Sequence, residues 1–345
     1  MLDKSNSLKS VKASRVILPV VIGLGVVAIM VAREFDPDVF SRITFTLTSV
    51  LWLFVALVCM VGRDLGYMIR IRVLSERKLS WLQAFRVIML WEFTSTVTPG
   101  AIGGTSVATL FIHKEGISVG RSSAIVMATS LLDELYFVLM FPILVLLVGG
   151  ERLFAIPDSP GWTHGIMALV LTGYCIKLMW VLAMTYGLFF NPRGLGKLIY
   201  RIFHLPVLRR WKRGAGKAAM EIIATSEEMK SKKPIFWIKA FLSTALSWSS
   251  RYWVVNFLFM AFFAVNEHFL IFARQLVMWI ILVVTPTPGG SGVAEFTFSI
   301  FLGEFIPIAG FAIALALLWR LVSYYPYLLI GALVVPKWIN DKFTN

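Results

Sequence analysis

Thr285-Pro286-Thr287-Pro288-Gly289-Gly290-Ser291-Gly292-Val293-Ala294-Glu295 interrupts an apolar stretch in the second half of the chain. A related run, Thr98-Pro99-Gly100-Ala101-Ile102-Gly103-Gly104-Thr105-Ser106-Val107-Ala108, interrupts another in the first half. The shared pattern is Thr-Pro, a short spacer, then Gly-Gly, Ser or Thr, any residue, Val and Ala. Each copy is followed by a helix opening on Ala-Ile, at Ala124-Ile125 and Ala312-Ile313. Proline removes a backbone donor and ends a helix. Glycine permits positive φ and close backbone approach. A helix restarting after Gly-Gly-Ser points N–H groups and a partial positive charge at the break, an arrangement that suits an anionic group such as phosphate.

The surroundings of these runs set the solvent. Of 345 residues, 58% are hydrophobic and 15% charged, and the mean hydropathy is +0.79. A soluble domain keeps about a quarter of its residues charged. The composition excludes a water-soluble enzyme, a disordered chain and a nucleic-acid binder, despite a formal charge of +14. One compact core cannot absorb this much apolar side chain, so the fold class is an all-α polytopic integral membrane protein. Cys59 and Cys175 lie inside apolar runs; each is expected to be a small buried hydrophobe, and no disulfide framework is implied.

A helix crosses the hydrocarbon core with about 20 apolar residues. Six segments qualify: 16–32 (read as a retained anchor), 43–62, 122–148, 164–190, 236–263 and 310–335. Two more, 81–112 and 275–303, carry the Pro/Gly breaks. Irregular backbone cannot face lipid, so these are expected to be re-entrant or broken helical hairpins among the other helices. The chain then reads as one transmembrane domain over 1–345, with a first repeat half at 43–190, a basic loop at 191–235 and a second half at 236–335. Lys4 to Arg15, the Arg63–Lys78 cluster, Lys114, Arg121, the 191–235 loop, Lys337 and Lys342 fall on one face. Arg33, Arg42, Arg152 and Arg274 fall on the other. The positive-inside rule makes the first face cytoplasmic, with both termini there. By this count the two broken segments enter from opposite sides, the pattern of inverted-repeat transporters whose sites lie where broken helices meet.

Seven ionisable residues fall in the membrane zone: Glu92, Asp133, Glu134, Lys177, Arg251, Glu295 and Arg320. Charges near the bilayer centre cost at least about 2.5–3.5 kcal/mol on insertion scales, so they pair, line water or do work. Glu295 directly follows the second glycine motif, and Arg320 sits midway along the final span; these two are expected to pair beside the hairpin. Asp133 and Glu134 stand after the first hairpin much as Arg320 stands after the second. Arg251, among Ser243, Thr244, Ser247, Ser249 and Ser250, marks another polar helix face. The candidate translocation site therefore comprises Thr98, Pro99, Gly103, Gly104, Thr105, Thr285, Pro286, Pro288, Gly289, Gly290, Ser291, Glu295, Arg320, Asp133, Glu134 and Arg251. His113, His164, His204 and His268 lack ligand spacing, so neither a metal nor another cofactor is expected. No Walker A loop and no G-x-S-x-G elbow occurs.

Thr287-Pro288-Gly289-Gly290-Ser291-Gly292-Val293-Ala294-Glu295, with Leu318-Trp319-Arg320-Leu321-Val322-Ser323-Tyr324, resembles the signature of the lysylphosphatidylglycerol synthase transmembrane (flippase-like) family. Thr98 to Gly104 and Lys114-Glu115-Gly116-Ile117-Ser118 resemble its first conserved region. The resemblance implies a bacterial or archaeal inner-membrane protein with two re-entrant hairpins. It also implies a lipid flippase role for an aminoacyl-phospholipid or a polyprenyl- or glycolipid-linked substrate, with Glu295 and Arg320 as the motif acid and arginine. Many members carry an arginine and a glutamate where this chain has Ala101-Ile102-Gly103-Gly104. Asp133-Glu134 likewise stands where members often show Glu-Arg and a later Asp, so a different headgroup is expected. The soluble aminoacyl-transferase domain of the two-part synthases has no counterpart here, and the chain is not expected to make the lipid. Membrane lipids are the expected partners, with a lipid-modifying or glycosyltransferase enzyme as a further one. The alternatives are a small-solute or ion transporter, or an accessory subunit of a lipid glycosyltransferase pathway.

Overall fold

The computed structural model describes residues 45–97, 102–155, 163–194, 229–283, 293–308 and 310–343, with isolated positions 197, 201, 223, 226 and 227. Among these residues the chain is helical and contains no strand. The helices are α1 (Leu47–Leu74), α2 (Trp81–Val97), α3 (Ile102–Lys114), α4 (Val119–Val148), the short α5 (Gly150–Phe154) and α6 (Thr163–Thr185, continuing as a π-turn over Tyr186–Phe190). They are followed by α7 (Pro234–Met260), α8 (His268–Val283), α9 (Val293–Leu302), α10 (Phe311–Ser323) and α11 (Tyr325–Phe343). Among the described residues, four stretches are long and apolar enough to cross a membrane: Leu47–Leu74, Val119–Val148, His164–Phe190 and Phe311–Trp338. The expected 16–32 anchor and most of the 191–235 loop, including its basic run, lie outside the described residues.

α1 shows how the sequence sorts its faces. Leu47, Val50, Phe54, Val58, Val61 and Leu65 form an exposed stripe, whereas Arg63, Tyr67 and Arg70 on the other face are buried. A water-soluble protein does not expose an apolar stripe of this size while hiding its arginines. Lipid is the solvent in which that arrangement is stable. Because α1 runs on to Leu74, it corrects the expected 43–62 span. Arg63 and Arg70 are not members of a surface basic cluster, as the charge count had them, but buried helix positions 1% and 4% exposed. Arg274, assigned to the opposite face, is likewise buried at 1%. The cysteines also depart from expectation: Cys175 is exposed and Cys59 half-buried, since a thiol on a lipid-facing helix needs no protein core.

α7 packs antiparallel along α1 in the most extensive helix–helix contact of the fold. Gly62 and Gly66 make this possible. A Cβ on Gly66 would lie 2.8 Å from the Ser243 carbonyl oxygen and 3.0 Å from the Ser247 amide nitrogen, and one on Gly62 would lie 3.3 Å from Ser250 Oγ. This small-x-x-x-small spacing lets two backbones approach where no hydrophobic effect drives helices together. The Gly66 obstacles are backbone atoms, which cannot swing away. Gly66→Leu is therefore expected to separate α1 from α7 and to abolish the monodisperse, detergent-extracted species on size exclusion. A wild-type profile would show that the contact is dispensable.

Each broken segment forms an antiparallel hairpin. α2 and α3 have both outer ends at one end of the bundle: Gln83 Nε2 donates to the Glu115 carbonyl at 3.3 Å, and Arg86 pairs with the Glu115 carboxylate at 3.3 Å. The α1 C-terminus, the α4 N-terminus and the chain before α7 meet there too, where Glu76 pairs with both Arg121 and Lys232. α8 and α9 have their outer ends at the other end of the bundle. Arg274 Nη1 donates to the Phe301 carbonyl at 2.9 Å and pairs with Glu304 at 2.7 Å, while Nη2 donates to the Arg152 carbonyl of α5 at 2.9 Å. Phe262, just after α7, meets both Phe45 before α1 and Phe311 at the start of α10 at that same end. α2 has 17 residues and α8 has 16, so each reaches about 25 Å. That is short of the ~30 Å hydrocarbon core.

The final span departs from a single helix. It breaks at Tyr324 (φ −128°, ψ −56°) into α10 and α11. Pro326 lacks the N–H that would bond the Val322 carbonyl, and its ring crowds that oxygen. Arg320 therefore lies in the last turn of α10, not midway along a straight rod.

Candidate functional site

Thr98, Pro99, Thr285, Pro286, Pro288, Gly289, Gly290 and Ser291 lie outside the described residues. Gly103 and Thr105 belong to the first turn of α3, with Gly104 between them. A Cβ on Gly104 would fall 1.9 Å from Ser95 Oγ and 3.1 Å from Ser95 Cα of α2, so a glycine is required where the two arms of the hairpin converge.

Glu295 and Arg320 are paired. Arg320 Nε donates to Glu295 Oε1 at 2.8 Å, and the two side chains are 0% and 6% exposed. The Arg320 guanidinium lies 4.2 Å from the Tyr324 ring centroid, and the Tyr324 hydroxyl donates to the Thr96 carbonyl at 2.9 Å. Thr96 is in the last turn of α2. This series of contacts joins the first turn of α9 to the inner end of α2, linking the two hairpins. Its position depends on the break at Tyr324, which turns that side chain toward α2.

Asp133 and Glu134 have separate partners. Asp133 accepts from Arg70 Nη1 at 2.5 Å and from the Trp248 indole at 2.7 Å, and Arg70 also donates to Thr244 Oγ1 at 3.2 Å. Glu134 pairs with Lys177 of α6 at 2.6 Å. Glu92 pairs with Arg63 at 2.5 Å, and Arg63 also holds the neighbouring Asp64 at 2.9 Å. Tyr327 of α11 donates to Asp64 at 2.8 Å. Arg251 is different: no carboxylate pairs with it among the described residues. Its guanidinium lies 5.7 Å from the ring centroids of Trp248 and Trp279.

Reading the sequence by charge missed Arg63, Asp64 and Arg70, which neutralise or share the acids at Glu92 and Asp133, as well as the tyrosines that link them. A signal was available. Gly62, Arg63, Gly66, Tyr67 and Arg70 recur at helical spacing opposite the Leu/Val/Phe stripe, which places the arginines on the inward face.

A groove of about 370 Å³ lies against α1 and α7, lined by Cys59, Leu246, Ser249, Ser250, Trp253 and Phe257. These α7 positions share one face, and Arg251 leaves the helix from another. Among the described residues no group of three His, Cys, Asp or Glu side chains is placed to hold a metal ion.

At the end of the bundle near Lys232, that lysine's hydrogen bond, with help from Arg121, holds the Glu76 carboxyl down at about 2. A carboxyl depressed in the folded state contributes stability that is present above its unfolded value near 4.5. That contribution is lost as pH falls through about 4.5 toward about 2. Glu76 is 36% exposed, so screening by water and salt keeps the effect at ~1 kcal/mol or less. The melting-temperature gap between wild type and Glu76→Gln should be open at about pH 7, narrow below about pH 4.5 and close near pH 2. A gap that does not change with pH would remove the carboxylate from this role.

An apolar outer surface, inward-facing ion pairs and spanning helices define a helical integral membrane protein. The chain belongs to the family described as the lysylphosphatidylglycerol synthase TM region, which matches residues 16–331. A "UPF0104 membrane protein" of Archaeoglobus fulgidus is 26% identical over 306 residues, covering 86% of this chain and 89% of that one.

Proposed function

We propose that this protein is a lipid translocase that passes an anionic or zwitterionic headgroup between leaflets through a polar slot between two hairpins, and that it is not an enzyme. The observation carrying this reading is the Glu295–Arg320–Tyr324–Thr96 series, which ties together hairpins opening at opposite ends of the bundle. The halves α1–α4 and α7–α11 each run span, hairpin, span, in opposite senses, as an inverted repeat does. Exposed Arg77 and Lys78, with Arg121 and Lys232, gather at one end. By the positive-inside rule this end is cytoplasmic, with both chain termini there, in a bacterial or archaeal inner membrane. The chain holds no nucleotide-binding loop, so movement is driven by a gradient or runs downhill.

The test is reconstitution into vesicles carrying fluorophore-labelled phosphatidylglycerol, followed by an impermeant reductant. Protein-free vesicles keep their inner-leaflet label; vesicles with the protein are expected to lose nearly all of it. Uptake of a soluble substrate with no lipid movement would point instead to a solute or ion transporter. A stably co-purifying lipid glycosyltransferase with no transport of either kind would point to an accessory subunit.

A further inference from the structure

We infer that Arg251, set between Trp248 and Trp279, is the binding point for the phosphate of an anionic phospholipid. This inference rests on the translocase reading and names the group the slot recognises.

Among the described residues, five inward cations lie along the spans: Arg63, Arg70, Lys177, Arg251 and Arg320. Four of them face a carboxylate at 2.9 Å or less. Arg251 faces two indole rings, and none of its N–H donors meets an acceptor among the described residues. Arginine presents five donors in a planar fork matched to phosphate and carboxylate oxygens. Cation–π contact with two indoles orients that fork but satisfies none of its donors.

The surroundings are built rather than incidental. Trp248 and Trp279 meet edge-to-face at 5.4 Å, and Phe137 of α4 packs against both at 4.8 and 6.2 Å. The Trp248 indole N–H is fixed by Asp133, as above, which sets the ring under Arg251. Tyr252, stacked on Trp248 at 5.9 Å, is 5% exposed, and its hydroxyl has no hydrogen-bond partner among the described residues. A guanidinium fork with unmet donors, flanked by two indoles, matches a monoanionic phosphodiester, which offers several acceptor oxygens on one small centre.

Native mass spectrometry of the detergent-purified protein tests the assignment with three probes: phosphatidylglycerol, diacylglycerol and inorganic phosphate. Wild type is expected to retain phosphatidylglycerol, and Arg251→Gln to weaken that retention about tenfold or more, the range for removing a hydrogen bond to a charged group. Diacylglycerol retention should be equal in both. Arg251→Lys, which keeps the charge but loses the planar fork, is expected to weaken phosphatidylglycerol several-fold; it decides the matter if Arg251→Gln does not fold. Unchanged phosphatidylglycerol retention in either folded variant overturns the assignment. Inorganic phosphate bound through Arg251, with phosphatidylglycerol indifferent to the substitution, overturns the lipid as its source. If phosphatidylglycerol is held through Arg251 but no lipid crosses vesicles, the translocase reading fails and the site stands. If lipid crosses while Arg251→Gln holds phosphatidylglycerol normally, the site fails and the translocase reading stands.

Discussion

Glu295→Gln and Arg320→Ala are both expected to abolish lipid translocation and to lower stability, Arg320→Ala by more. The difference follows from what each leaves behind. The glutamine side chain keeps the shape of the acid and an oxygen that can still accept from Arg320 Nε, now without the negative charge. The alanine substitution takes the guanidinium away from the Glu295 carboxylate, which is 0% exposed, and removing one partner of a buried pair costs about 3–5 kcal/mol. It also takes the cation away from Tyr324, whose hydroxyl holds the Thr96 carbonyl of the other hairpin. In the reductant assay both variants should match protein-free vesicles. A thermal melt should place both below wild type, Glu295→Gln by less because its amide oxygen still accepts from Arg320 Nε. Wild-type lipid movement in both would remove the pair from the mechanism.

Arg63→Met is expected to damage the fold severely. Arg63 is 1% exposed and pairs with Glu92 and Asp64, and its backbone carbonyl accepts from Ser247 Oγ at 2.8 Å. Its guanidinium also lies 4.8 Å from the ring centroids of both Tyr67 and Tyr327. Methionine preserves much of the apolar stem but leaves two carboxylates from α1 and α2 facing each other in a region of low dielectric. A loss of about 3–5 kcal/mol is expected, enough to consume much of a typical domain's stability. Adding Glu92→Gln should recover a large part of the melting temperature, because Asp64 retains its Tyr327 donor. A melting temperature close to wild type for the single variant would mean that the acids are neutralised in another way.

Those two expectations also mark what could be read from the sequence. The Glu295–Arg320 pair was legible because a motif placed the acid at a helix start and a single arginine interrupted the next apolar run. The two hairpins were legible because Thr-Pro and Gly-Gly cannot continue a lipid-facing helix. Arg63 and Arg70 were not, because a hydropathy window ends a span at the first charges. Only the face-by-face spacing on α1 shows that these arginines turn inward. The break at Tyr324 is local Pro326 chemistry inside an otherwise apolar stretch, and composition does not register it. The partners of Asp133 and Glu134 come from three other helices, an assignment that requires tertiary packing.

The translocase proposed above requires that the two hairpins enter from opposite faces and that each returns to the face it entered. Single cysteines at exposed Lys78 and Ser118 flank the first hairpin, and at exposed Asn266 and Pro307 the second. Each is placed in a background lacking Cys59 and Cys175 and treated in intact cells with an impermeant thiol reagent. Labelling at 266 and 307 from outside, with 78 and 118 reacting only after lysis, is the predicted result. A flanking pair split between the two faces, or all four positions reacting from one side, would contradict it.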